Sequence, residues 1–185
     1  MDYTWHYDSP LGGITLASDG TALTGLWFDG QKYYGTVLGE KHEDRSLPVF
    51  EQAVEWLGIY FRGKAPDFTP PLSLKATAFR QAVWKILLTI PFGQTMTYGE
   101  IAQRIARQRG LRQMSARATG GAIGHNPISL IIPCHRVVGT NGRLTGYAGG
   151  LHRKQYLLAL EGVSLPGIGR SDGPGVLPGD SPAAR

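Results

Sequence analysis

The 185-residue sequence predicts an α/β chain of two domains, in which a small strand-and-helix domain precedes a mainly helical one. Three observations lead to this fold class. The first 30 residues have the alternation and turns of hairpin strands, later segments carry apolar residues at helical spacing, and a stretch rich in proline and glycine separates them. Hydrophobic residues make up 42% and charged residues 18% of the chain, as in globular proteins with a core.

The N-terminal domain begins with predicted strands. The segment YTWHYDSP alternates and turns at Ser9–Pro10, and LGGITLASDG and ALTGLWFDG add two strands joined at Asp19–Gly20. Apolar residues then recur at helical spacing between Pro48 and Arg62 and predict a helix. The next segment, GKAPDFTPP, predicts a linker. We therefore expect the first domain to span residues 1–67 and the linker residues 68–76.

The second domain, residues 77–162, carries four helical signals. Its predicted helices are Ala78–Leu88 capped by Thr77, Tyr98–Arg107 starting at the capping box TYGE, ARATGGAIG capped by Ser115, and Leu151–Glu161 ending at Gly162. The apolar stretches on either side of Cys134, in IIPCHRVVG, predict a pair of buried strands. From residue 163 to residue 185 the chain is rich in glycine, proline and serine, which predicts a disordered tail.

The N-terminus and the single cysteine bear on the compartment. MDYTWHYDSP has neither the basic nor the apolar region of a signal peptide, and no run of 18 apolar residues predicts a membrane helix. One cysteine cannot form an internal disulfide. We therefore expect a cytoplasmic protein without a membrane partner. Five scattered histidines and one cysteine lack metal-ligand spacing, so no metal and no cofactor is expected.

Positive charge is concentrated in one part of the sequence. The chain has a formal net charge of +5, and Gln103–Arg117 holds five arginines and no acidic residue. Two short helices flank this segment, which suggests a helix-turn-helix. The second of them, ARATGGAIG, is almost bare, although each glycine costs about 1 kcal/mol relative to alanine. Two explanations remain open: tight packing against a neighbouring helix, or entry into a narrow groove such as the DNA minor groove.

Cys134 is the candidate reactive group. A lone cysteine is more often a small buried hydrophobe than a nucleophile. His135 could raise its thiolate fraction, but neighbours in a strand point to opposite faces, so the backbone must turn there or a water must bridge them. Glu161, at the end of the last helix, is the acid best placed to orient His135. The glycine-rich GTNGRLTGYAGG lacks the GK[ST] of a phosphate loop.

These residues resemble a known family. PCHRV at Pro133–Val137, preceded by RATGGAIGHNP at Arg117–Pro127 and followed by LTGYAGG at Leu144–Gly150, resembles the O6-alkylguanine-DNA alkyltransferases, also called methylated-DNA–protein-cysteine methyltransferases. FRQAVWKILLTIPFGQTMTYGEIA is similar to the start of the same domain. The resemblance is specific over residues 77–162. It is looser over the first 75 residues, where DSPLGGITLA is similar to the family's N-terminal hairpin.

The resemblance implies both fold and function. The N-terminal α/β domain would be ribonuclease-H-like, and the C-terminal domain would be winged-helix-like and bind DNA. The partner would be double-stranded DNA carrying O6-alkylguanine, bound from the minor groove with the damaged base flipped out. The alkyl group of O6-alkylguanine, and of O4-alkylthymine, would pass once and irreversibly to the cysteine.

The resemblance also implies roles for individual residues. Cys134 would accept the alkyl group, and His135, through a water, and Glu161 would activate it. Asn126 would hold the turn between the recognition helix and the active-site strand. Substrate-binding positions would be Tyr98, Ser129, Val137, Tyr147 and Ala148. DNA-binding positions would be Tyr98, Ser115, Ala116, Arg117, Thr119, Gly120 and Thr140.

Two of these roles are specific enough to test. Tyr98 would donate its hydroxyl proton to the leaving guanine, and Arg117 would fill the gap that the flipped base leaves. The family usually has valine at the position of Thr119. The turn between the two helices, Arg107–Met114, is longer and more basic here, and we expect it to face phosphates or a neighbouring protein molecule on DNA.

Two rival functions are weighed against alkyl transfer. A non-catalytic protein of the same fold would only mark damage, but an intact Cys134 argues against it. A cysteine hydrolase would form a thioester and turn over, and it would need an oxyanion site that the sequence does not suggest.

Overall fold

The first domain is built on a four-stranded sheet. In the computed structural model, which describes residues 1–166, three antiparallel strands are extended by one parallel strand in the order β3-β2-β1-β4. The predicted hairpins are confirmed. The strands are β1 (Asp2–Ser9), β2 (Gly12–Ser18), β3 (Leu23–Phe28) and β4 (His42–Asp44).

Helix α1 (Pro48–Phe61) packs on this sheet, in contact with β1 and β2. It begins at a proline, which suits the first helical turn because the N–H missing there has no intrahelical partner. Apolar residues at helical spacing form one buried face: Val49, Phe50, Ala53, Trp56, Leu57 and Tyr60. Tyr60, in the last turn, is fully buried and brings its hydroxyl to the second domain.

The segment predicted as a linker makes backbone contacts with the sheet. The Leu23 N–H donates to the Pro71 carbonyl at 2.8 Å, and the Ser73 N–H donates to the Leu23 carbonyl at 2.8 Å. This short parallel bridge covers the start of the outer edge of β3. A sheet edge covered in this way does not pair with other chains.

The second domain contains the predicted helices, and their starts follow the sequence signals. The side chains of Thr77 and Ser115 each accept an N–H from the first turn, and Thr97 and Glu100 form the reciprocal capping box. The helices are α2 (Ala78–Leu87), α3 (Tyr98–Gln108), α4 (Ala116–Gly124) and α5 (Leu151–Leu160). The mixed first domain and the mainly helical second domain are thus as the sequence predicts.

Of the two strands predicted around Cys134, the one before it is wrong and only the one after it forms. Cys134 begins a 3-10 turn, Cys134–Arg136, and the two-residue strand β6 (Val137–Val138) follows it. Strand β6 pairs in parallel with β5 (Met96–Thr97), just before α3. The turn removes the obstacle expected for a strand, in which the side chains of residues 134 and 135 would point to opposite faces.

The apolar run before Cys134 is buried without forming a regular strand. It covers the outer edge of β3, where the Leu26 N–H donates to the Pro127 carbonyl and the Ser129 N–H donates to the Leu26 carbonyl, both at 2.9 Å. Leu130 then has a φ of 69°, which breaks the extended conformation. Burial between two domains explains the apolar composition that the sequence analysis assigned to a strand.

The hydrophobic core is continuous from the sheet through α1 to the helices of the second domain. Within residues 1–166, no helix is long and apolar enough to span a membrane, and no group of three or more potential metal-ligating side chains occurs. The predicted disordered tail falls on residues 163–185, of which residues 167–185 lie outside the described residues.

Candidate active site

Cys134 lies at the bottom of the site with only 6% of its surface exposed. Its Sγ accepts a hydrogen bond from Asn126 Nδ2 at 3.2 Å. Burial raises the pKa of the Cys134 thiol above its ordinary value, while the Asn126 hydrogen bond and the positive charge of Lys154 oppose that rise. The resting thiol is therefore protonated, and a base is needed to activate it.

Asn126 holds the backbone around this thiol. Its Nδ2 also donates to the Ile132 carbonyl at 2.7 Å, and its Oδ1 accepts the Ile128 N–H at 3.0 Å. One amide group thus fixes both ends of the segment that leads to Cys134, and its second N–H is left for the sulfur. This is the position between recognition helix and active site that the sequence analysis assigned to Asn126.

His135 and Glu161 form the centre of a buried polar cluster. Their side chains are completely buried, and His135 Nε2 lies 2.7 Å from Glu161 Oε1. The same carboxylate accepts hydrogen bonds from Arg136 Nε at 2.9 Å, from the Gly93 N–H at 2.9 Å and from the Tyr60 hydroxyl at 2.8 Å. Glu161 is thus held by the first domain, the segment after α2 and the turn that carries Cys134.

The charges in this cluster define the state of His135. Burial tends to raise the pKa of Glu161, but the hydrogen bonds and charges of His135 and Arg136 outweigh it and lower the pKa to about 2. Burial lowers the pKa of His135, against the raising effect of Glu161. His135 is therefore a neutral imidazole that donates its Nε2 proton to the carboxylate, since a carboxylate can only accept. Its Nδ1, buried and without a partner among the described residues, remains a base.

A pocket of about 620 Å³ opens beside Cys134. The start of α3 supplies Tyr98, whose hydroxyl donates to the Gly146 carbonyl at 3.3 Å. The loop before α5 supplies Tyr147 and Ala148, two of the expected substrate-binding residues, and the Tyr147 hydroxyl is buried without a partner among residues 1–166. Helix α4 supplies a third wall with the small residues Ala116, Gly120 and Gly121.

Lys154 is a buried cation next to this pocket that the sequence analysis missed. Its Nζ donates to the carbonyls of Thr145 at 3.1 Å and Gly146 at 3.4 Å, which holds the pocket loop. Burial lowers its pKa to about 8, against the raising effect of Cys134. A signal was present: Lys154, Leu157, Leu158 and Glu161 recur at the spacing of one helical face, so two charged residues share a face with two leucines.

Three predicted site residues do not line the pocket. Ser129 and Val137 are buried in the core, where the Ser129 hydroxyl meets the Gln31 side chain at 3.4 Å. Thr140 is exposed in a separate turn, Thr140–Gly142.

The exposed face of α4 is the candidate DNA surface. Ser115, Ala116 and Arg117 are exposed, and a Cβ placed on Gly120 would meet no atom of the described residues within 4 Å. The same holds for the other two glycines of the helix, so tight packing within the described part of the chain does not explain them. The bare face is open instead.

Thr119 was expected among the DNA-binding residues, and its position in the structure corrects this expectation. It is fully buried, and its hydroxyl donates to the Ser115 carbonyl at 2.9 Å. Thr119 shares the inner face of α4 with Ala122 and Ile123, and Trp84 of α2 donates its indole N–H to the Ala122 carbonyl. Thr119 therefore packs this helix on the core and does not face DNA.

The comparisons with known proteins agree with this geometry. Residues 78–163 match the 6-O-methylguanine DNA methyltransferase, DNA binding domain family, and residues 3–74 match the ribonuclease-like domain family of the same proteins. A methylated-DNA–protein-cysteine methyltransferase of Mycobacterium bovis is 46% identical over 164 residues, which are 87% of this chain and 94% of that protein. A protein of the same name from Haemophilus influenzae is 41% identical over 162 residues, 87% of each chain.

A solved structure has a similar fold. The crystal structure of Mycobacterium tuberculosis OGT in complex with DNA has a TM-score of 0.74 and 45% sequence identity, and the match covers 86% of this chain and 92% of that one. Family matches cover both domains, and similar relatives are matched over most of their length. This chain belongs to the 6-O-methylguanine DNA methyltransferase family.

Proposed function

We propose that Cys134 is the residue at which this chain carries out its family's reaction, the direct reversal of DNA alkylation by transfer of the alkyl group to a cysteine. The observation that carries the proposal is the position of the thiol. Cys134 Sγ lies at the base of a pocket that opens under the bare face of α4, in the same turn as the buried His135–Glu161 pair. Its substrates would be O6-alkylguanine and O4-alkylthymine in duplex DNA.

Activation begins with the thiol proton. Because His135 is neutral and its Nδ1 is bare, it can take the Cys134 proton through a bridging water. The resulting imidazolium keeps its Nε2 hydrogen bond to Glu161, which is ionised at neutral pH. The buried Lys154 charge favours the thiolate as well. Glu161 thus orients His135 and stabilises its charged form.

The transfer step is a displacement at a saturated carbon. The thiolate attacks the alkyl carbon, the S–C bond forms as the bond from carbon to O6 breaks, and guanine leaves as an anion. The Tyr98 hydroxyl, at the pocket wall, supplies a proton to the leaving base. The product on Cys134 is a thioether, which water does not cleave, so each molecule reacts once.

DNA binding would use the exposed face of α4 in the minor groove. A face of small residues fits a groove only about 6 Å wide and reads little sequence. Arg117, exposed in the first turn, would occupy the space of the flipped base and offset the cost of unstacking, a few kcal/mol. The basic segment before α4 would contact phosphates or a neighbouring molecule on the same DNA.

The compartment follows from the thiol. An acceptor that reacts once must stay reduced until it meets damage, and reducing conditions prevail in the cytoplasm. We therefore place the protein there.

The direct test is intact-mass spectrometry after mixing with duplex DNA that carries O6-methylguanine. The protein should gain one methyl group, and peptide mapping should place it on Cys134. Transfer should stop at one equivalent. Continued release of a methylated small molecule, or a methyl group on another residue, would refute the assignment.

A further inference from the structure

The first domain also reaches the reaction pocket. Lys32 and Tyr33, in the loop between β3 and β4, line the same pocket as Cys134, although about 100 residues separate them in sequence. None of the roles assigned above uses this pair. Its contacts indicate what it does.

The pair bridges two walls of the pocket. The Lys32 N–H donates to the carbonyl of Ala148, in the loop that carries Tyr147, at 3.1 Å. The Tyr33 ring stacks on the ring of His125, at the end of α4, with 3.9 Å between ring centroids and 26° between planes. Because an incoming base must enter between α4 and this loop, the Lys32–Tyr33 pair lies across one side of its route.

The conformation of Tyr33 is held by its surroundings. Its φ of 61° lies in the left-handed region, which is unfavourable for a residue with a side chain. The Lys32 Nζ lies 5.0 Å from the centre of the Tyr33 ring, and on either side Gln31 accepts the Phe28 N–H while the Tyr34 hydroxyl donates to Thr15. A strained residue that is anchored on both sides keeps a fixed ring position.

We propose that Tyr33 is a specificity-determining residue that limits the size of the O6 substituent this protein accepts. This proposal rests on the proposed transfer to Cys134. Because the Tyr33 ring forms part of the wall of the pocket that holds Cys134, its position would limit the size of a substituent more for benzyl than for methyl. To admit a larger group, the ring must leave its stack on His125 and the loop must move. The first domain would thus set the substrate range of a reaction performed by the second.

The test compares two substituents in the same duplex, O6-methylguanine and O6-benzylguanine, by the rate constant of transfer to each variant. Tyr33→Gly removes the ring and suits the positive φ, so the loop keeps its conformation. Tyr33→Phe keeps the ring. Val37→Ala is the control, because Val37 is exposed in the same loop and is not one of the residues that anchor Tyr33.

We expect the benzyl-to-methyl ratio to rise on the order of tenfold in Tyr33→Gly, since even one methylene in a pocket can change selectivity by that factor. Tyr33→Phe and Val37→Ala should keep the wild-type ratio. An unchanged or lower ratio in Tyr33→Gly, or an equal rise in Val37→Ala, would overturn the size limit while methyl transfer by the wild type remained. Absence of methyl transfer by the wild type would instead overturn the acceptor role of Cys134, and the size limit with it.

Discussion

The two sides of the Cys134 turn are built in opposite ways. On the Glu161 side, the carboxylate accepts hydrogen bonds from several groups and is closed to solvent. On the pocket side, polar atoms are left without partners in the described residues, among them the Tyr147 hydroxyl and His135 Nδ1. The unpaired groups cost stability, whereas the paired carboxylate stabilises the fold.

This difference separates two tasks. A saturated cluster can hold a histidine in one tautomer and one orientation, because any other arrangement would remove the His135 hydrogen bond from a buried carboxylate. An unsaturated pocket can bind a polar base, because the Tyr147 hydroxyl is not already used, and the Tyr98 hydroxyl can exchange its hydrogen bond to the Gly146 carbonyl for one to the base. Variants on the two sides should therefore fail in different ways.

The largest effect is expected at the thiol. Cys134→Ala should abolish alkyl transfer, because no other thiol exists in the chain, while stability and DNA affinity stay near wild type. The α4 surface that binds DNA does not depend on the sulfur. Transfer is measured by mass and affinity by fluorescence anisotropy on alkylated duplex DNA. Comparable loss of both would contradict the separation of tasks.

The next effect is expected on the saturated side, with stability as the readout. Glu161→Gln should destabilise the protein by about 3 kcal/mol at pH 7, since the carboxyl pKa falls from 4.5 to about 2 on folding and Arg136 loses its buried partner. Urea unfolding measures this difference. Glu100→Gln is the control, because that exposed side chain caps α3 and glutamine can cap as well.

The lowered pKa of Glu161 also predicts how the stability of the protein depends on pH. A carboxyl whose pKa is lowered on folding stabilises the protein fully above its unfolded value of 4.5, and that contribution is lost as the pH falls from 4.5 through about 2. Wild type should therefore lose stability across this window, and Glu161→Gln should lose about 3 kcal/mol less. Parallel pH curves for the two proteins would show that Glu161 is not held as described.

Local signals predicted much of the fold. Helices α1, α2 and α3 were found because their apolar spacing and caps lie within a few residues of one another. The strand prediction for the segment before Cys134 failed because the partners of that segment, β3 and the Asn126 side chain, are set by tertiary contacts. Burial alone does not distinguish a strand from an irregular segment that is hydrogen-bonded elsewhere.

The candidate site was predicted in part. The structure brings Glu161 to His135, which lies next to Cys134 in the same turn, because a motif and the end of a helix carry these residues. Tyr60 was missed because it belongs to an ordinary apolar helix face, 101 residues from the carboxylate it contacts. The orientation of Thr119 was missed because α4 has too few large side chains to define a buried face.

A smaller effect on the transfer rate is expected at Arg117, which lies at the outer edge of the pocket side. Arg117→Ala should slow transfer from duplex DNA roughly tenfold or more, because the unstacking of a base, a few kcal/mol, is no longer offset. Reaction with free O6-methylguanine, which needs no unstacking, should be unchanged. Lys85→Ala, an exposed cation on α2, is the control and should alter neither rate. Equal losses on both substrates would make Arg117 a structural residue.

The smallest effect is expected in the basic turn before α4. Arg112 is exposed there, whereas the Arg109 guanidinium lies 5.1 Å from the centre of the Phe79 ring of its own chain. If the turn contacts phosphates, Arg112→Gln should reduce the slope of log affinity against log salt by about 0.9, the value for one released counterion. Arg109→Gln, a matched loss of charge, should change the slope less because that side chain is already engaged.

Salt titrations of duplex binding measure both slopes. An unchanged slope in Arg112→Gln would place this side chain away from the phosphates, and loss of cooperative binding in the same variant would place it against a neighbouring molecule on the DNA.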